Sequence, residues 1–440
     1  MTRLPAILAL PLLVAPTFGD ALFPLASVGT RTDAGAVRAS FDNGLRVLCV
    51  QNQGTGTVAV SAFVNTSARA EAATQTGLRY FLARALVESS AAEQPDLAHR
   101  LRELGADAFA GATLDLSQIT VTAAAEDVGP AAGLLRDILF RPRFSEASLG
   151  RLRRQVVANL AAAGQSPEVA AEHAAADRLY PSHPFGRPVE GLAATVSTFD
   201  LPRIEAVYRQ SYVPNNLRIV VAGGVPPEVS LEALRKAFGD VLPGTRLEES
   251  TEPPRPPREG AEELRRPSGT ALIHLGARAP GLADDVYPAA AVALAILGSG
   301  MGSRLYLALR QSDGVAYSFS AEARASREGA RAGVLAACPP ERVDETEGRM
   351  VLALRQMTTE LATAEEILRA KEYIATGYAI THQRSADLVH QLGALEIASD
   401  QGLELDRDLP RRIGEVTAEQ VRDAARAMFA TRVRVRVLPS

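Results

Sequence analysis

Arg310 and Tyr317 stand seven residues apart in the second half of the chain, at the end of one segment and the start of another. A guanidinium donates hydrogen bonds from a rigid fork and a phenol donates from its hydroxyl. If the two tips converge on one point, they can hold one polarised oxygen from two sides. The residues before them set their positions. Gly298, Gly300 and Gly302 follow an aliphatic run, residues 289–297, that reads as a buried helix. Glycines there allow positive φ and let another chain approach closely. Ser303 reads as the N-cap of a short helix with Leu305, Tyr306 and Leu309 on its apolar face, ended by Gly314. From Val315 the chain alternates as a strand, with Val315, Tyr317 and Phe319 on one face. By residue type alone, Arg310 suits the last turn of any helix and Tyr317 is an ordinary strand residue. A phosphate-binding P-loop does not fit, because no Lys-Ser/Thr follows Gly302 and no strand precedes the glycines.

A second stretch, residues 77–86, has apolar residues at 78, 81, 82, 85 and 86, the pattern of an amphipathic helix. Its opposite face carries Tyr80, Ala83 and Arg84. The histidines at 99, 173, 183, 274, 382 and 390 are scattered without metal-ligand spacing and read as structural or solvated. Cys49 and Cys338 lie in apolar, strand-like contexts in different halves and read as buried thiols, with one disulfide between the halves as the alternative.

At 440 residues the chain exceeds one core and suggests two domains of about 200 residues each. Hydrophobic content of 47% fits a packed Ala/Leu-rich protein, and a net charge of −4 gives no reason to expect nucleic-acid binding. Residues 1–21 read as a secretory signal, with Arg3 ahead of a short apolar core interrupted by Pro11 and Pro16. That core is too short to span a bilayer, and the alternatives are an uncleaved anchor or an ordinary apolar N-terminus. The protein is thus expected to be exported, to the periplasm or the extracellular space. Residues 24–38 read as a linker, and Asn43-Gly44 as the turn of a β-hairpin. Residues 248–267, with Pro253, Pro254, Pro256, Pro257 and Pro267, read as a charged Pro-rich linker. Residues 215–222 read as the closing strand of the first half.

The stretch "LGSGMGSRLYLALRQSDGVAYSFSA" resembles the C-terminal half of the pitrilysin/insulinase metallopeptidases, the inverzincins. The resemblance runs from about Phe41 to the C-terminus. In that family a Gly-rich segment leads to a helix ending in Arg, followed seven residues later by a Tyr; the pair binds the substrate carbonyl opposite the zinc. Arg310 and Tyr317 match it, and Gly298, Gly300 and Gly302 match the segment that shapes the peptide path. "GLRYFLARAL" is similar to the family's "GLAHFLEHML", whose inverted H-x-x-E-H supplies two zinc ligands and the catalytic Glu. Tyr80, Ala83 and Arg84 stand at those positions. Asn159 stands where the last ligand, a Glu about 75 residues further on, is expected. Phe109 stands near the place of an Asn that helps hold substrate on the edge of the first sheet. An Arg is a permanent cation with no lone pair to give, so this chain is expected to bind no zinc.

The resemblance implies an α+β fold of two similar halves, each a mostly antiparallel sheet flanked by helices, facing each other across a chamber. Residues 22–247 would form the first half and residues 268–440 the second. Some relatives are heterodimers in which one chain carries the zinc and the other, similar in fold, supplies the Gly-rich loop or the Arg/Tyr pair. The resemblance therefore implies a non-zinc subunit of the processing-peptidase-like branch, acting on peptide or unfolded polypeptide beside a zinc-bearing homologous partner. The alternatives are a purely structural subunit, like the core proteins of the respiratory cytochrome complex, and a solitary peptide-binding pseudopeptidase.

Overall fold

The computed structural model describes residues 31–440 apart from 34, 283, 312 and 313, so residues 1–21, read as a signal, lie outside it. The strands of the first half are β1 (Arg31–Asp33), β2 (Ala36–Ser40), β3 (Arg46–Gln51), β4 (Thr57–Val64), β5 (Asp107–Ala112), β6 (Ser117–Ala124) and β7 (Leu217–Gly223). They form one sheet in the order β1-β2-β3-β7-β4-β6-β5, in which only β3 and β7 run parallel. The β2–β3 hairpin turns at Asn43-Gly44 as the residues demand. Gly44 has φ 81°, and Asn43 ties the turn down by donating to the carbonyls of Phe238 (2.9 Å) and Val241 (2.8 Å). Helices α1 (Leu78–Arg84), α2 (Pro95–Glu103), α3 (Val128–Phe140), α4 (Glu146–Ala163), α5 (Pro167–Leu179), α6 (Leu201–Ser211) and α7 (Pro227–Phe238) belong to this half.

The second half has β8 (Gly260–Arg266), β9 (Ala271–Arg278), β10 (Ser318–Arg324), β11 (Arg331–Cys338) and β12 (Val433–Pro439), ordered β10-β11-β9-β12-β8. Again one neighbouring pair, β12 and β8, is parallel. Its helices are α8 (Tyr287–Gly298), α9 (Arg304–Tyr306), α10 (Val343–Thr359), α11 (Ala364–Thr381), α12 (Ser385–Ala398), α13 (Gly402–Gly414) and α14 (Ala418–Phe429). No helix of the described residues is long and apolar enough to cross a membrane.

Both central strands, β4 and β9, are buried along nearly their whole length rather than on alternate residues. The reason is an exchange of helices. One face of the first sheet packs on its own helices, and the other packs on α12 of the second half, where Leu388, Val389 and Leu392 meet Leu48, Phe63 and Val220. Reciprocally, α5 of the first half lies on the second sheet, with Ala171, Ala175 and Leu179 against Leu272, Val433 and Val435. Each fully buried Leu or Val contributes up to about 1.5–3 kcal/mol, so the two helices are enough to fix the halves to one another.

Three local readings are corrected. Residues 24–38 are not all linker: β1 pairs with β2, and β2 with β3. The tail of the Pro-rich stretch, residues 260–266, is strand β8. Its side chains are charged on both faces because it is an edge strand, and its prolines all lie outside the ladder. The strand near 215–222 closes nothing; β7 sits between β3 and β4 in the middle of the sheet. It is followed by α7, whose opening Pro226-Pro227 looks like a breaker but places a proline at the first helical turn. Cys49 and Cys338 are free and buried in separate sheets, as first read, and burial pushes the Cys49 thiol up to about 12.

Candidate substrate-binding site and a closed metal face

The Gly-rich loop is built by close approach. Where α8 ends, β10 crosses it, and a Cβ on Gly298 would lie 2.4 Å from the Cβ of Ala321 and 2.5 Å from its amide nitrogen. No larger residue fits there. Gly300 has φ 76°, and a Cβ on Gly302 would stand 2.9 Å from the Arg369 guanidinium, which itself donates to the Gly302 carbonyl (3.3 Å). Ser303 caps α9 through the amide of Tyr306 (3.3 Å), as its position predicts. Helix α9 is a single turn that widens at once into a π-turn, Leu307–Gln311. Such turns commonly accompany functional sites. Three contacts hold it: Leu305 and Leu309 are fully buried, Arg304 forks onto Glu366 (2.7 and 3.0 Å), and Arg349 donates to the Ala308 carbonyl (3.0 Å).

Arg310 lies one residue before the end of this π-turn, and its guanidinium donates to the backbone carbonyl of Tyr317 (2.5 Å). The two residues meet through Tyr317's backbone carbonyl, not tip to tip as the spacing suggested. The Tyr317 amide is fixed in turn on the Ala337 carbonyl (2.7 Å), and its side chain is 57% exposed. The strand begins three residues later than read, at Ser318. Val315 is buried while Tyr317 is exposed, so the two do not share a strand face. Beside the loop lies a cavity of about 330 Å³ lined by Ser299, Gly300, Met301, Arg369, Tyr373 and Thr376. Met301, at 77% exposure, stands at the loop crest.

In the first half, Gly77 opens α1 with φ 91°, packed so closely on Gly191 that a Cβ would lie 2.4 Å from its Cα. Leu78, Phe81 and Leu82 enter the core as read. Ala83 does too, being fully buried, so it is not on the outer face with Tyr80 and Arg84. Beyond Arg84 the helix widens into a π-turn, Ala85–Ser89. Arg84 forks onto Glu88 (2.6 and 3.0 Å) with its guanidinium carbon 5.8 Å from the centre of the Tyr80 ring. Partial burial opposes its charge, but the Glu88 hydrogen bonds outweigh this and raise its pKa above the ordinary value. A cation pinned in this way repels a metal ion and offers it no lone pair. Asn159 is exposed on α4, which packs against this π-turn.

These residues do not fit zinc. Among the described residues no group of three His, Cys, Asp or Glu side chains could hold a metal. His183 binds backbone at Phe185 and Glu252, and burial pushes His173, His274 and His390 below the ordinary range. Phe109, 54% exposed, sits on β5, the free edge of the first sheet. The residues that hold the second-half site together, Arg304, Arg349, Glu366 and Arg369, escaped sequence reasoning. Their partners are 41 to 67 residues distant in the chain, and only paired charge hinted at them.

Residues 46–191 match the sequence profile of the insulinase family (Peptidase family M16), and residues 198–374 match that of the Peptidase M16 inactive domain. An uncharacterized zinc protease of Mycobacterium tuberculosis is 25% identical over 411 residues, covering 91% of this chain and 92% of the relative. The fold is shared with a peptidase M16 inactive domain from Pseudomonas fluorescens: TM-score 0.82, 22% identity, 94% of this chain and 98% of that chain. A protease from Helicobacter pylori superposes with a TM-score of 0.83 at 16% identity, over 94% of this chain and 100% of that chain. The two profile matches fall largely one on each half and together span most of the sequence, and the chain belongs to the insulinase (M16) family of peptidases.

Proposed function

We propose that this chain is the non-zinc subunit of an exported two-chain metallopeptidase, lending Arg310, Tyr317 and the Gly-rich loop to peptide hydrolysis at a zinc held by a homologous partner. The observation that carries the reading is an asymmetry between the halves. Where a metal face would be, Arg84 is locked between Glu88 and Tyr80. Where a substrate carbonyl would be held, Arg310 is anchored on Tyr317 and both side chains remain exposed.

The chemistry asked of this chain is modest. When the scissile carbonyl becomes tetrahedral, its oxygen gains negative charge. The Arg310 guanidinium and the Tyr317 hydroxyl donate to that oxygen more strongly than to the neutral carbonyl, which lowers the barrier. The bond from Arg310 to the Tyr317 carbonyl holds the guanidinium before substrate arrives, so less of its ordering entropy is lost in the transition state. Gly298–Gly302 leave room for an extended peptide beside the cavity, and the N-terminal residues 1–21 direct export. A subunit that only scaffolds has no use for donors exposed in this way.

The chain purified alone is expected to hold no stoichiometric zinc and to cleave no peptide. Elemental analysis and a peptide-hydrolysis assay check this. About one tightly held zinc per chain, removed together with an activity by a chelator, would overturn the assignment.

A further inference from the structure

His382 is the C-cap of α11, and both of its ring nitrogens face acceptors. Nδ1 lies 2.7 Å from the backbone carbonyl of Tyr378, and Nε2 lies 2.8 Å from Oδ2 of Asp406 on α13. A neutral imidazole carries one N–H and leaves one of these contacts as lone pair against lone pair; the imidazolium satisfies both. A helix C-terminus also favours a cation. The Asp406 carboxylate is nearly fully buried and further accepts from the Tyr378 hydroxyl (3.4 Å) and from the Gln391 amide of α12. The Tyr378 ring lies against the imidazole, with centroids 3.9 Å apart.

This cluster sits where the second half touches the first. Asn52, after β3, donates to the His382 carbonyl (3.0 Å). Three residues on, Ser385 contacts the Thr55 hydroxyl and the Thr57 carbonyl, each at 3.2 Å. The helix that His382 ends is the one that carries Arg369, Tyr373 and Thr376 into the wall of the cavity beside the Gly-rich loop.

We infer that His382 is a proton-dependent clasp between the halves, its imidazolium binding α11 to α13 and seating the α11–α12 turn on the β3–β4 loop, and its deprotonation releasing that turn. The inference is independent of the proposed peptidase role. The charged and titratable groups around it are Asp406 and, beyond it, Arg407 on α13, together with Tyr378 on α11; Gln391 and Asn52 are neutral. Burial alone would lower the His382 pKa, but the Asp406 hydrogen bond and charge together with the Tyr378 carbonyl raise it above the ordinary value. His173, His183, His274 and His390 are pushed the other way. The sign follows. A group with a raised folded pKa stabilises fully below its unfolded value of about 6.5, and that stability is lost as pH climbs through the folded value.

The test uses the full chain with 13C-labelled histidine, followed by NMR from pH 5 to 10 alongside chemical unfolding and amide exchange. In the native chain one imidazole should titrate above about 6.5. Over the same window the unfolding constant should rise by up to about tenfold per unit of pKa elevation. Protection of the amides of 382–385 and 52–57, relative to the base-catalysed intrinsic rate at each pH, should fall. In His382→Gln that resonance disappears and the pH dependence of stability and of this protection flattens. Should that variant fold poorly, Asp406→Asn gives a second reading: the His382 resonance persists but titrates at or below the ordinary value, because burial is then opposed only by the carbonyl contact. A native chain without a high-titrating imidazole would overturn the inference. So would an unchanged His382 titration in Asp406→Asn, or an unchanged exchange window in His382→Gln.

Discussion

Tyr317→Phe, assayed in a reconstituted pair at saturating partner, is expected to lower kcat by about 10²–10³, roughly 3–4 kcal/mol of transition-state stabilisation. The substitution removes one hydroxyl and almost no volume from a side chain that is 57% exposed, so stability and assembly should barely move. Arg310→Ala should do comparable harm by two routes. It deletes a donor to the oxyanion, and it deletes the bond to the Tyr317 carbonyl that holds the segment in place. Some loss of ground-state binding should therefore accompany the loss in kcat. The double variant should lose less than the product of the single losses, since both groups act on one oxygen. A Tyr317→Phe pair within about twofold of native kcat would leave Tyr317 a surface residue and put the scaffolding reading first.

Gly393→Ala is expected to cost about 1–3 kcal/mol of stability although it adds only one methyl group. On α12, Gly393 crosses β4 over the ring of Phe63, and a Cβ there would lie 2.0–2.3 Å from three ring atoms. Phe63 is fully buried with Leu388, Val389 and Leu392 around it, so the ring has nowhere to move. The gain of roughly 1 kcal/mol from replacing Gly inside a helix offsets part of the cost and does not cancel it. Phe63→Leu in the same chain should recover part of the loss by making room. Urea unfolding of the three variants beside native checks this. If Gly393→Ala matched native stability, α12 would not be wedged on the first sheet as described.

That wedge also shows where the sequence was readable and where it was not. Strands and helices with a clean period or cap were legible: the Asn43-Gly44 hairpin, the Ser303 cap and the buried helix at 289–297, because local chemistry decides them. The two-half architecture was legible through resemblance rather than repetition. What local pattern could not show was the exchange of α5 and α12. The exchange buries β4 and β9 on both faces and so removes the alternation that marks a one-sided strand. Edge strand β8 failed for the opposite reason: Leu264 is its one large apolar side chain, half-buried against the core, and charged residues fill both faces. At the site, the residue types at 310 and 317 were legible, and so was the cation at 84. The burial of Ala83, and the anchoring of Arg310 on a backbone carbonyl instead of beside the phenol, were not. Ala83 is small enough to pass for either face of a helix, and the π-turn that carries Arg310, Leu307–Gln311, leaves no mark in composition.

The central claim is that the site is completed by another chain. The most direct measurement is peptide hydrolysis by a homologue that carries an intact H-x-x-E-H, assayed with and without this protein and paired with size-exclusion chromatography of the mixture. The account predicts a complex near the summed mass of the two chains, and hydrolysis that rises steeply on mixing and saturates at equimolar ratio. A zinc-bearing homologue that is fully active alone and never co-elutes with this chain would contradict it.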